Sequence, residues 1–256
     1  MRADINGMQT RWFDKGAGRT LLCLHPLGQS AEFHAGLADA LGAGWRVVSY
    51  DQRGHGAAAG QPVRDWAQLV EDAEAAVAQL DGPVHLAGFS MGGAVAADLA
   101  ARLPGRFASL TLAATPSEGS ALFASRACAV AHGGIAGIEA ETVQRWFGAS
   151  TDEAAIARAR AALHRLTPEG FDAAWRAFAT FAGYGAVTRP WPATLVLSFG
   201  DDLSTPPAVL DHIAATLEGA GVAVQRANVD GAGHMGLLEQ PQAVATEITA
   251  FIEGMT

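Results

Sequence analysis

Residues 84 to 93 read Val84-His85-Leu86-Ala87-Gly88-Phe89-Ser90-Met91-Gly92-Gly93, and the architecture of the chain is legible from them. Residues 84–87 have the apolar character of a short buried strand, and an alanine-rich helical pattern begins directly after Gly93. A serine on a sharp strand-to-helix turn has its Oγ pushed out over the end of a sheet, where a base and a substrate can both reach it. Gly88 and Gly92 flank Ser90 because so tight a turn leaves no room for side chains there. A bare G-x-S-x-G arises by chance in many proteins. The strand before it and the helix after it give this one its weight.

Apolar runs of strand length recur at residues 21–24, 47–50, 110–113, 195–199 and 222–229, with helical patterns between them. That alternation predicts an α/β chain with a mostly parallel central sheet. The runs are continuously apolar rather than alternating, as strands covered by helices on both faces should be. Asp65-Trp66-Ala67-Gln68 reads as a helix cap, and Trp66, Leu69, Val70, Ala73, Val77 and Leu80 continue at helical spacing until Gly82-Pro83. From residue 115 to 189 the strand runs vanish. Short amphipathic helices are expected there at 121–130, at 141–147 and twice within 154–181. We read 1–114 and 190–256 as two parts of one core and 115–189 as a helical lid over the carboxyl edge of the sheet, where ligands of open α/β sheets bind.

The 256 residues carry a net charge of −9, which disfavours nucleic acid and anionic membrane surfaces as partners, since both reward a basic face. The N-terminus has no apolar run of signal-peptide type, and apolar runs elsewhere are expected to stop short of the roughly 18 residues of a membrane span. A cytoplasmic protein is expected. Cys23 and Cys128 lie far apart and near no metal-binding spacing, so neither a disulfide nor a metal site is implied.

A serine hydroxyl needs a base, usually an imidazole that a carboxylate holds in the right tautomer. Of eight histidines, His234 stands out: it follows the last strand run, lies in Gly231-Ala232-Gly233-His234 and precedes the last helix. Asp201 and Asp202 follow the run at 195–199, and either could reach an imidazole from there. The order Ser, Asp, His suits this architecture. Two oxyanion donors are expected from backbone N–H groups, that of Met91 after the serine and that of Leu27 in His25-Pro26-Leu27-Gly28.

Together these stretches resemble the α/β-hydrolase fold superfamily. The resemblance rests on residues 25–28, Asp51-Gln52-Arg53-Gly54-His55-Gly56, the segment around Ser90, residues 202–207 and Gly233-His234, in that order along the chain. Within the superfamily the chain is most similar to the 3-oxoadipate enol-lactonase group. That likeness lies in Gly133-Gly134-Ile135, in residues 141–147 and in Thr167-Pro168-Glu169-Gly170-Phe171, with Glu239-Gln240-Pro241 near the end. The resemblance implies that Arg53 and His55 are structural. Counting back from Thr205-Pro206 it selects Asp202 as the acid, with Asp201 in reserve because the spacing from Gly200 is one residue short. The His25-Pro26 start of the oxyanion loop departs from the more polar start of enol-lactonases.

The expected activity is therefore opening of a small lactone or carboxylic ester by Ser90, His234 and Asp202, with no metal or organic cofactor. Carbon–carbon or amide hydrolases, perhydrolases and acyltransferases would use the same three residues, and a ligand sensor could sit on the same scaffold. A haloalkane dehalogenase would need a carboxylate in place of Ser90. The lid holds seven arginines against seven acids, leaving the whole negative charge to the core. Arg145, beside Trp146 in the expected acyl pocket, is singled out to meet a substrate carboxylate, because a guanidinium fork matches one.

Overall fold

The computed structural model describes residues 1–148, 151–185 and 187–255. Its chain opens with β1 (Arg2–Ile5), β2 (Met8–Gly16) and β3 (Gly18–Leu24), then α1 (Ala35–Leu41) and β4 (Gly44–Tyr50). The helix α2 (Trp66–Val77), β5 (Val84–Phe89), α3 (Met91–Arg102) and β6 (Phe107–Ala113) complete the first part. Three helices follow, α4 (Ala121–Trp146), α5 (Glu153–Leu163) and α6 (Pro168–Phe178). The chain returns to the sheet with β7 (Thr194–Phe199), α7 (Pro207–Gly219), β8 (Val224–Val229), α8 (Gly236–Glu239) and α9 (Pro241–Gly254).

The strands form one sheet in the order β1-β2-β4-β3-β5-β6-β7-β8. From β4 to β8 every neighbouring pair is parallel, whereas β1–β2 and β2–β4 are antiparallel. Every residue of β5 and β7 is buried, so side chains on both faces of the sheet are covered. The helix α1 packs against α9, and α2 against α3. This is the mostly parallel α/β sheet that the apolar runs implied, in the α/β-hydrolase arrangement that the motif resemblance led us to expect.

The two antiparallel strands β1 and β2 escaped the sequence reading. In β2 burial alternates along Met8, Thr10 and Trp12, and the polar residues Gln9 and Arg11 fill the gaps. A one-faced antiparallel strand reads as alternation, not as an apolar run. At the other end β8, expected from the run at 222–229, is only half exposed, as an edge strand.

The helical insertion also differs from expectation. Residues 121–146 form one helical segment broken at Gly134 (φ 61°, ψ −170°), not two helices separated by a long loop. Gly133 and Gly137 stay helical; only Gly134 takes a conformation that other residues avoid. By length and composition this segment is apolar enough for a membrane span, against the expectation that no run would be. The break leaves halves of about 12 residues, and a bilayer core requires roughly 20 in one helix.

Candidate active site

Ser90 lies between β5 and α3 in a left-handed conformation, φ 52° and ψ −119°. Such a backbone costs a non-glycine residue about 1–3 kcal/mol and persists only where its surroundings hold it. Here the Ser90 N–H donates to the Ala113 carbonyl (2.9 Å), and its own carbonyl accepts from Gly93 N (2.9 Å). Gly92 lets the end of β3 close in, since a Cβ there would lie 2.2 Å from the Leu24 carbonyl oxygen. The loop after β3 is thereby pressed against the serine.

His234 enters from the loop after β8. Its Nε2 lies 2.9 Å from Ser90 Oγ, and its Nδ1 lies 2.8 Å from Asp202 Oδ2. Asp202 is 2% exposed, and its other oxygen accepts the N–H groups of Ser204 (2.7 Å) and Thr205 (2.9 Å). Burial pushes the Asp202 carboxyl up, but the His234 charge and the bonds from His234 and Thr205 outweigh it and hold it below its ordinary value. Asp201, its neighbour, is exposed, and its N–H donates to the Ala232 carbonyl (2.9 Å). The structure therefore brings together Ser90, His234 and Asp202, and not Asp201.

Thr205 is a further member of this cluster. Its hydroxyl lies 2.7 Å from Asp202 Oδ2, 2.8 Å from the Ala114 carbonyl and 3.3 Å from His234 Nδ1. The His234 loop is held from behind by Glu239, which accepts from Gly233 N (2.9 Å) and Thr151 Oγ1 (2.6 Å). The end of α4 also grips it, because Met235 N–H donates to the Trp146 carbonyl (3.0 Å).

Met91 is the first residue of α3, so its N–H has no carbonyl within the helix to bond. Leu27 lines the pocket that holds Ser90 and His234. Its loop is clamped by two buried histidines. Gly28 N–H donates to His55 Nε2 (3.0 Å), and Gln52 N–H donates to His25 Nε2 (3.0 Å). The Nδ1–H of each ring then faces a carbonyl, Pro26 for His25 (2.9 Å) and Arg53 for His55 (2.8 Å). Burial lowers their pKa values to about 4 and about 3, so both rings stay neutral acceptors. Asp51 completes the clamp by accepting from Ala31 N and Ala57 N, each at 2.7 Å. Arg53 pairs with buried Asp72 (2.6 Å), away from the serine.

In the pocket over Ser90, α4 and α6 supply much of the wall through Phe123, Arg126, Arg145, Trp146, Trp175 and Phe178. The Trp146 indole sits so close to the Leu27 loop that a Cβ on Gly28 would lie 2.7 Å from Cη2. The expected pocket residues Trp146 and Arg145 are thus both present. Among the described residues no group of three or more His, Cys, Asp or Glu side chains is arranged to hold a metal ion.

A family model described as the alpha/beta hydrolase family matches residues 21–247, which covers all of these site residues. The chain belongs to the alpha/beta hydrolase family. One relative is the (E)-2-((N-methylformamido)methylene)succinate hydrolase of Acinetobacter baylyi, 26% identical over 97% of this chain and 95% of that one. A second is the dihydrolipoyllysine-residue acetyltransferase component of the acetoin cleaving system of Pseudomonas putida, 38% identical over 125 residues. That match takes in 47% of this chain but only 34% of the relative's length. Among solved structures, a thermophilic esterase of Thermogutta terrifontis with malate bound has a TM-score of 0.89 at 25% identity, covering 99% of this chain and 98% of that one. The enol-lactonase of Burkholderia xenovorans LB400 has a TM-score of 0.87 at 24% identity over 99% of this chain and 100% of that one. The resemblance to enol-lactonases therefore has its counterpart at the level of the fold.

Sequence reasoning missed four supporting residues of this alpha/beta hydrolase site. Thr205 served only as a counting mark, and Arg126 was one of seven lid arginines. His25 and His55 lay inside recognised motifs without a partner assigned to either. Their spacing to each other in the chain carries no sign that both rings hold one loop.

Proposed function

We propose that the protein is a serine hydrolase that opens a small lactone or carboxylic ester through an acyl-enzyme. The observation that carries this reading is the unbroken chain of hydrogen bonds from Ser90 Oγ through His234 to the ionised Asp202. In that reading His234 Nε2 takes the hydroxyl proton as Ser90 Oγ bonds to the acyl carbon, and Asp202 stabilises the imidazolium at Nδ1. The Leu27 and Met91 N–H groups receive the oxyanion of the tetrahedral intermediate. Collapse breaks the acyl–oxygen bond, and His234 returns its proton to the departing alkoxide. A water then gives its proton to His234 and attacks the acyl carbon, and Ser90 leaves with that proton restored.

The α4–α6 insertion acts as a lid that shapes the acyl pocket around Trp146. A lactone leaves its alkoxide tethered to the acyl group, so this lid must accommodate an opened chain. The full-length relative from Acinetobacter is a hydrolase, and the Thermogutta neighbour is an esterase, which supports bond hydrolysis over a binding role. Ser90→Ala should lower kcat on p-nitrophenyl esters and lactones by about 10⁴-fold or more while the protein stays folded. Turnover near the wild-type rate would remove Ser90 from the chemistry.

A further inference from the structure

The end of α4 and the residues after it lie directly on the loop that carries His234. Gly233 N–H donates to Glu239 Oε1 (2.9 Å), and Met235 N–H donates to the Trp146 carbonyl (3.0 Å). The residues on either side of His234 are thus each fixed by a backbone hydrogen bond. A Cβ on Gly233 would lie 2.7 Å from Gly148 N and 2.8 Å from the Trp146 carbonyl oxygen, so only glycine lets the insertion come this close.

Glu239 closes the arrangement. It ends α8, a short turn bonded back on itself through Leu238 N–H to the Met235 carbonyl (2.7 Å). From there one carboxylate oxygen reaches back to Gly233, and the other reaches out to the insertion, where Thr151 Oγ1 lies 2.6 Å away. The Thr151 hydroxyl also stands 2.9 Å from the Gly148 carbonyl, but that carbonyl already receives the Thr151 N–H (3.3 Å). A hydroxyl has one proton to give, and the carboxylate at the shorter distance is the stronger acceptor. Glu239 therefore bridges the base's loop and the insertion.

A general base must hold its nitrogen within hydrogen-bond reach of the hydroxyl it deprotonates, and misplacement by about 1 Å costs on the order of 100-fold. His234 Nε2 stands 2.9 Å from Ser90 Oγ, while Asp202 holds the other ring nitrogen. The backbone beneath that ring is held by Glu239 and by the end of α4. We infer that Glu239 is a positioning residue for His234, and that it couples the seating of Trp146, Gly148 and Thr151 to the placement of the base. This inference rests on the proposed role of His234. It makes the insertion a support for the base as well as a wall of the pocket, and Glu239 acts through the Gly233 backbone rather than on substrate.

Glu239→Ala should lower kcat on p-nitrophenyl esters by about 10- to 100-fold, with KM within about threefold of wild type. Glu239→Gln should recover most of that loss, since its amide oxygen can accept from Gly233 and its amide N–H can donate to Thr151 Oγ1. Thr151→Val, which keeps the shape and removes the donor, should lower kcat by about 3- to 10-fold, the range of one hydrogen bond. Combined with Glu239→Ala, Thr151→Val should cost nothing more, because Thr151 acts through Glu239. A readout free of turnover is the far-downfield proton NMR signal of His234 Nδ1–H on Asp202. It should broaden or vanish in Glu239→Ala and persist in Glu239→Gln, while circular dichroism shows both folded. A Glu239→Ala enzyme with kcat within about twofold of wild type and that signal unchanged would overturn the positioning role. Losses that multiply in the double variant would overturn the coupling. Should Glu239→Ala fail to fold, Thr151→Val decides: kcat and signal both unchanged there would also overturn the coupling. A wild type without ester turnover, whose signal is still lost in Glu239→Ala, would remove the hydrolase reading and leave the positioning role standing.

Discussion

Asp201 and Asp202 are adjacent, carry the same side chain and differ only in what the fold puts around them. Asp202 faces inward, with His234 on one oxygen and two backbone N–H groups on the other. Asp201 faces water. Asp202→Asn keeps the shape but favours the wrong imidazole tautomer, and kcat should fall by about 10⁴-fold. Asp201→Asn should stay within about twofold of wild type, and steady-state kinetics of the two variants separate the roles. Equal losses would mean that the acid is not Asp202. Ser90 and His234 were legible in the sequence because a strained turn and a glycine-rich loop mark them. The acid was ambiguous from the chain alone, because a one-residue difference in a loop reverses which side chain points inward.

The loops after β3 and β4 behave as one clamped unit. His25, Gln52, His55 and Asp51 hold the Leu27 segment through backbone groups, so its shape depends on side chains from a different loop. Replacing His55 by Leu leaves the Gly28 N–H and the Arg53 carbonyl without their partners. Each buried group stranded in this way costs about 1–3 kcal/mol. His55→Leu should lower the urea midpoint, and in the folded enzyme it should reduce kcat far more than it raises KM, because the Leu27 N–H is displaced from the transition-state oxygen. His55→Gln, whose side chain can still accept from Gly28, should recover part of kcat. A His55→Leu enzyme with normal kcat would show that the loop keeps its place unaided. The central strands and the helices α2 and α9 could be read from apolar periodicity. The clamp could not, since its histidines look like any polar residues until the fold faces them toward backbone N–H groups.

Across the molecule, His25, His34 and His55 are all fully buried, and burial lowers their pKa values to about 4, about 3 and about 3. The unfolded chain takes up protons near pH 6.5, while the folded one does not. Their contribution to stability is therefore complete above about pH 6.5 and is lost as the pH falls toward 4. Each adds up to about 1.4 kcal/mol per pH unit over that interval. Asp72, Asp98 and Glu239, whose pKa values burial raises, act in the opposite sense. Urea unfolding at pH 7, 6 and 5 should show a clear loss of stability on acidification, whereas a flat profile would argue against neutral buried imidazoles. The order of motifs along the chain already carried this topology from β3 onward. What it lacked was the antiparallel opening, whose alternating burial has no apolar run to mark it.

The most direct check of covalent chemistry at Ser90 is rapid-quench mass spectrometry during turnover of a p-nitrophenyl ester. One acyl group per chain should appear on the peptide that holds Ser90, in step with a burst of p-nitrophenolate, and both should vanish in Ser90→Ala. Steady ester cleavage with no adduct on that peptide, or with an adduct elsewhere that survives Ser90→Ala, would mean that another group performs the attack.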